Sequence, residues 1–296
     1  MEKKFNADIY KSIFEFENLI NEIIPRRLLY RVIFRGRGLD FDGYRKYYTD
    51  EDSSVIDWKA SLRNNSLLAR QYIEERDLRV IFIIDMSENM VFGSQEKLKC
   101  EYAAEVAASF SHILNRTGDK FGFILFNKDI FTFSLPSSGK KQHDNFVFEL
   151  INPDNYKGNY YLSHILEKIT TIIDSSIDML VFISDFLKLG KEHFDKFNYF
   201  GSLYESIAIS IKDPLDVVLP EINKEIIIQD SNTGEKILIN PSVVRKVYEK
   251  HALEQIHEMR DMFQKSNIDI LELYTDEDYK QKLAYFLKRR AEKRLA

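Results

Sequence analysis

Apolar residues recur at helical spacing from the start of the chain. Ile9, Ile13, Phe14, Phe16, Leu19, Ile20 and Ile23 follow one another every three or four positions until Pro25 interrupts, which predicts an amphipathic helix over 7–24. From 26 to 70 the pattern dissolves into Gly36, Gly38, Gly43 and many charges, which predicts an extended arm of short strands lying on another surface. The texture then changes. Residues 79–84 form a continuous apolar, β-branched run that ends at Asp85, the pattern of a strand buried on both faces and so of a parallel sheet covered by helices.

The following segments alternate as that model requires. A helix is predicted over 96–114, with Leu98, Tyr102, Val106, Phe110 and Ile113 on one face, then strands over 121–126 and 130–135. A short helix near 145–150 and another over 162–173 lead into a second apolar strand, 179–184, which also ends at an aspartate, Asp185. In open α/β sheets ligands sit beyond the carboxyl ends of parallel strands, so two such strands place both carboxylates in one crevice. A strand over 206–211 follows, and 225–229 with 236–239 flank a Gly-containing turn, which predicts an inserted β-hairpin near 224–240. A long helix over 242–265, a last strand over 268–274 and a terminal helix opened by a Thr275–Asp278 capping box complete the reading. The expected organisation is a helix and arm over 1–78 and one α/β domain, doubly wound and mostly parallel, over 79–296.

Composition narrows the function classes. With 296 residues, 44% apolar and 30% charged, the chain has the balance of a water-soluble globular protein able to bury a sizeable core. A net charge of -5 gives no general reason to expect nucleic acid, and the basic run from Lys280 to Arg294 reads as a solvated helix face. No apolar stretch approaches the roughly 20 residues that span a bilayer. Acids interrupt the first apolar segment, so no secretory leader is expected there, and no membrane contact. Cys100, the single cysteine, rules out an intrachain disulfide and suits a reducing compartment, so the expected location is cytoplasmic.

The sharpest candidate chemistry is Asp85-x-Ser87-x-Asn89 on the turn after the first buried strand. Oxygen-bearing side chains at two-residue intervals suit Mg²⁺ or another hard divalent cation, or else satisfy backbone donors at a turn. With Asp185 after the second strand, the set resembles the metal-ion-dependent adhesion site of von Willebrand factor A domains. A longer ordered series narrows the likeness. Gly36-x-Gly38-x-x-Phe41, Arg45, Tyr48, Asp52, Ile56-Asp57-Trp58 and Arg63 precede the domain. Lys97, 118–122, Ser184-Asp185-Phe186, Asp213-Pro214, Leu219-Pro220, Thr233-Gly234-Glu235 and Thr275-Asp276 continue it. Together they resemble the bacterial family known as domain of unknown function 58.

That resemblance implies a von Willebrand factor A-type fold, Asp85, Ser87, Asn89 and Asp185 as metal ligands, and a partnership with a MoxR-type AAA+ ATPase, beside which members are commonly encoded. Two departures stand out. Asn89 replaces the second serine, and Tyr160 falls where the ligating threonine is expected. Tyr160, Asp57 and Trp58 are the candidate partner-facing residues, although an acid beside an aromatic is commonly a packing anchor. Ser87 lacks the glycines of a nucleophile elbow and a paired base. The expected function is therefore a non-enzymatic interaction module or adaptor, with a metal-dependent hydrolase or phosphatase as the alternative.

Overall fold

A computed structural model describes residue 5 and residues 7–24, 40–48, 53–73, 78–229 and 236–293. Outside these fall Gly36, Gly38 and Asp52 of the arm, the turn 230–235 between the paired strands, and Arg294.

The helix at the start forms over Ile9–Ile23, capped by Asp8, whose carboxylate accepts the Lys11 amide. In the arm, β1 (Asp40–Lys46) pairs antiparallel with β2 (Leu68–Ile73), and a short helix, Trp58–Asn64, lies between them. Among the arm's described residues, the buried apolar side chains Ile56, Leu68 and Ala69 belong to neither of the two core clusters of the main sheet.

Among the described residues the central sheet has six strands. They are β3 (Arg79–Asp85), β4 (Lys120–Phe126), β5 (Ile130–Ser137), β6 (Met179–Ser184), β7 (Glu205–Lys212) and, after a separate antiparallel pair β8 (Ile226–Gln229) and β9 (Lys236–Ile239), β10 (Asp269–Tyr274). Their order is β10-β7-β6-β3-β4-β5, and every pairing is parallel except that of the edge strand β5. This is an α/β fold with a mostly parallel sheet flanked by helices. No helix among the described residues is long and apolar enough to cross a membrane.

The continuous apolar runs follow from the two-residue period of a strand, which sends alternate side chains to opposite faces. Val80, Phe82 and Ile84 of β3 join one core layer with the helices Ile9–Ile23, Lys99–Thr117 and Tyr279–Lys293, while Ile81 and Ile83 join the other. Phe82 meets Phe110, Phe121 and Phe146 at ring distances of 5.4 to 6.0 Å, and burying it contributes about 1.5–3 kcal/mol. The opposite layer takes the helices Leu162–Ile172, Phe194–Leu203 and Pro241–Lys265.

Some expectations need correction. The helix near 145–150 extends over Lys140–Ile151, because polar Gln142 and His143 turn inward to bond the Phe121 and Ala108 carbonyls. The helix Phe194–Leu203 was not anticipated, although Phe194, Phe197, Phe200 and Leu203 keep three-residue spacing. Thr275 does not cap the terminal helix. Asp278 accepts the Lys280 amide there, and the Thr275 hydroxyl goes to Asp213. Within the basic run, Arg290 is buried and pairs with Glu205 at 2.7 Å and with Asp269, so it tethers the helix to the sheet.

Candidate functional site

Strands β3 and β6 lie side by side with Ile84 opposite Ile183, so Asp85 and Asp185 emerge together at the carboxyl end of the sheet. Both carboxylates are buried. Asp85 Oδ1 accepts the Ser87 amide at 2.9 Å, and Oδ2 accepts the Tyr160 and Ser184 hydroxyls at 2.7 Å each. Burial pushes the Asp85 carboxyl above its usual range, and repulsion from Asp185 pushes the same way, while the Tyr160 hydroxyl and the Ser87 amide offset part of the rise.

Tyr160 reaches Asp85 because its loop is strapped to the turn after β3. The Glu88 amide bonds the Gly158 carbonyl and the Lys157 amide bonds the Met86 carbonyl. Gly158 adopts a left-handed conformation, φ 70°, at a place where a Cβ would strike the Lys128 side chain, so glycine suits the bend. The Tyr160 ring meets Phe126 edge-on at 5.0 Å. Burial and the neighbouring Asp85 keep the phenol pKa well above normal, so it stays a donor.

Asp185 is held differently. Its Oδ1 accepts the Leu187 amide at 3.1 Å and its Oδ2 accepts the Lys99 ammonium at 2.8 Å. Phe186 between them has φ 55°, a left-handed conformation that a bulky residue adopts only at a cost of about 1–3 kcal/mol and that clusters at functional sites. Lys99 is buried at the first position of the helix Lys99–Thr117 and also contacts Asp216 at 3.3 Å. Burial disfavours its charge, but Asp185 and Asp216 outweigh that and hold the ammonium above the usual lysine value. Burial raises the Asp216 carboxyl, with Lys99 opposing. Asp213 ties the surrounding loops, accepting the Ser94 amide and hydroxyl and the Thr275 hydroxyl. A cavity of about 100 Å³, lined in part by Asp185, Lys212 and Asp216, adjoins this cluster.

The structure therefore brings Asp85, Ser87, Tyr160 and Asp185 together. Ser87 Oγ is fully buried beside the Asp85 carboxylate. The rest of the arrangement does not fit a divalent cation. Each carboxylate oxygen of Asp85 and Asp185 already takes a protein donor, an ammonium stands on Asp185, and the Tyr160 phenol fills the space before Asp85. Among the described residues no three carboxylate, imidazole or thiol groups are placed to hold a metal ion. Asn89 lies half-buried in the short turn Glu88–Met90.

The remaining candidates sort by exposure. Tyr160 is buried, its hydroxyl committed to Asp85, so it faces no partner. Asp57 caps the helix Trp58–Asn64 through the Ala60 amide and accepts Arg70 at 2.9 Å, while Trp58 is 61% exposed. Lys99, Ser184 and Asp216 were missed as site residues. Lys99 did carry a signal, since a cation in the first turn opposes the positive end of the helix dipole and needs a local reason.

Comparison with known proteins adds the following. Uncharacterized proteins of Mycobacterium bovis and Mycobacterium tuberculosis are 24% identical over 269 residues, covering 88% of this chain and 82% of theirs. Among solved structures, the conserved hypothetical protein BatB from Bacteroides thetaiotaomicron aligns with 73% of this chain and 99% of its own at 14% identity and a TM-score of 0.47. An aerotolerance-related membrane protein from Bacteroides fragilis aligns over the same shares at 14% identity and a TM-score of 0.44. The model of the family described as protein of unknown function DUF58 matches residues 43–258, and the chain belongs to that family.

Proposed function

We propose that the chain is a non-enzymatic protein-interaction module of the von Willebrand factor A type, which docks a partner through the loops at the carboxyl end of its sheet. The observation that carries this is a set of exposed apolar side chains on the loops that the buried cluster holds. Val91 and Phe92 follow the Asp85 turn, Tyr161 follows Tyr160, and Leu187 lies two residues beyond Asp185, with exposures of 44%, 42%, 87% and 44%. Apolar groups presented on a rigid frame lose little entropy on binding. The paired strands β8 and β9, with Ile227, Ile237 and Leu238 exposed, are read as an inserted hairpin at the edge of the same module.

The carboxylates at the ends of β3 and β6 are engaged by protein donors, which supports the interaction reading over the hydrolase alternative. The family resemblance makes a MoxR-type AAA+ ATPase the first partner to test, in the cytoplasm. Surface plasmon resonance with the purified ATPase should show binding that Tyr161→Asp and Phe92→Asp each weaken at least tenfold. Variants that bind as well as wild type would sink the docking surface, and a silent wild type would remove the ATPase as partner.

A further inference from the structure

We infer that Lys99 is the resident cation of this crevice: its ammonium, seated between Asp185 and Asp216, does the charge neutralisation for which the resembling sites use a divalent ion. The crevice then keeps its shape without metal. This is independent of which partner, if any, docks above it.

The geometry carries the inference at three points. First, the ammonium sits 2.8 Å from Asp185 Oδ2 and 3.3 Å from Asp216 Oδ2, bridging a buried and a partly buried carboxylate as an ion would. Second, it is built in and not a side chain passing through. The Lys99 amide bonds the Phe92 carbonyl at 2.8 Å, the side chain is 1% exposed, and the Phe92 ring lies 5.6 Å from Nζ. Third, the positive end of its own helix repels a cation there, so the placement is stable only because the carboxylates outweigh it.

The remaining charge is handled without metal as well. One ammonium neutralises one unit where a divalent ion neutralises two, and Asp85, which has no cation, is solvated by the Tyr160 and Ser184 hydroxyls and the Ser87 amide. Tyr160 in place of the expected threonine thus belongs to the same substitution as Lys99. The phenol is long enough to reach Asp85 itself, at 2.7 Å. An ammonium and a divalent ion repel each other strongly in so dry a place, so the two are alternatives.

If Lys99 is the cation, removing it should create a metal site. Mn²⁺ binding by the intact chain is read from the loss of the free-ion EPR signal, and thermal melts are run with and without millimolar Mg²⁺ or Mn²⁺. Wild type should bind no Mn²⁺ and show no shift. Lys99→Met with Tyr160→Thr, which also clears the space before Asp85, should melt lower and gain Mn²⁺ binding, with a rise of about 3–6 °C at a tenfold excess over Kd. Should that variant fail to fold, adding Asp216→Asn removes one partly buried negative charge along with the positive one, keeps Asp85, Ser87 and Asp185, and should show the same gain. Mn²⁺ binding or a metal-dependent shift in wild type overturns the inference. So does indifference to metal in the folded variant.

Discussion

Two aspartates of the sequence series sit in opposite worlds. Asp57, in the arm, caps a short helix, takes a half-exposed arginine, and has its carboxyl held below the usual range, chiefly by the Ala60 amide and then by Arg70. Asp85, at the end of β3, is fully buried beside a second carboxylate, and burial holds it above that range. Each ends a local segment and accepts a nearby backbone amide, so local chemistry does not separate them. Surroundings do. Asp57, though covered, accepts an arginine cation that offsets its desolvation, whereas Asp85 lies beside a second carboxylate and persists only because other residues were placed to solvate it.

The largest effect should come from removing the positive partner on each side. Lys99→Met leaves buried Asp185 and partly buried Asp216 without their ammonium and should cost about 3–5 kcal/mol in urea denaturation. Arg70→Met, at the exposed end of its pair, should cost far less. Similar losses from the two would end the contrast.

Next come the phenols. Tyr160→Phe removes a 2.7 Å bond to a buried carboxylate and should cost about 1–3 kcal/mol. Tyr44→Phe removes a longer 3.3 Å bond to Asp57 from an exposed phenol and should fall within about 0.5 kcal/mol of wild type. A Tyr160→Phe variant as stable as wild type would mean that water serves Asp85 equally well.

The smallest effect is one of sign, and it divides the two aspartates most sharply. A raised carboxyl favours the folded state when protonated, so the contribution of Asp85 is full below the usual carboxylate range and lost as pH rises through its folded value. Asp57 is the reverse, contributing above that range and losing its contribution as pH falls through its depressed value. Relative to wild type, Asp85→Asn should gain stability as pH rises above about 4, whereas Asp57→Asn should be less stable at neutral pH by an amount that shrinks as pH falls below about 4. Melts of Asp85→Asn that follow wild type above that pH, or of Asp57→Asn that follow it below, would refute the assignment.

Much of the fold was legible because it depends on short-range rules. The strand runs 79–84 and 179–184, each ending in aspartate, are read from composition alone, and parallel pairing then forces Asp85 and Asp185 together. The helix Phe194–Leu203 was legible too, in its phenylalanine spacing, and went unread. Lys140–Ile151 was cut short because its first turn is polar, and only packing shows that Gln142 and His143 point inward.

What the sequence alone determined is therefore the layered α/β architecture, the pair of carboxylates at its carboxyl end, and the family, all of which follow from periodicity and from motifs in order. What only the tertiary structure decided is the state of those carboxylates. Lys99 lies 86 residues from Asp185, and Tyr160 lies 75 from Asp85. No local pattern relates such positions, because an ion pair or hydrogen bond in a dry interior depends on distances that exist only after the sheet has formed and its loops have closed.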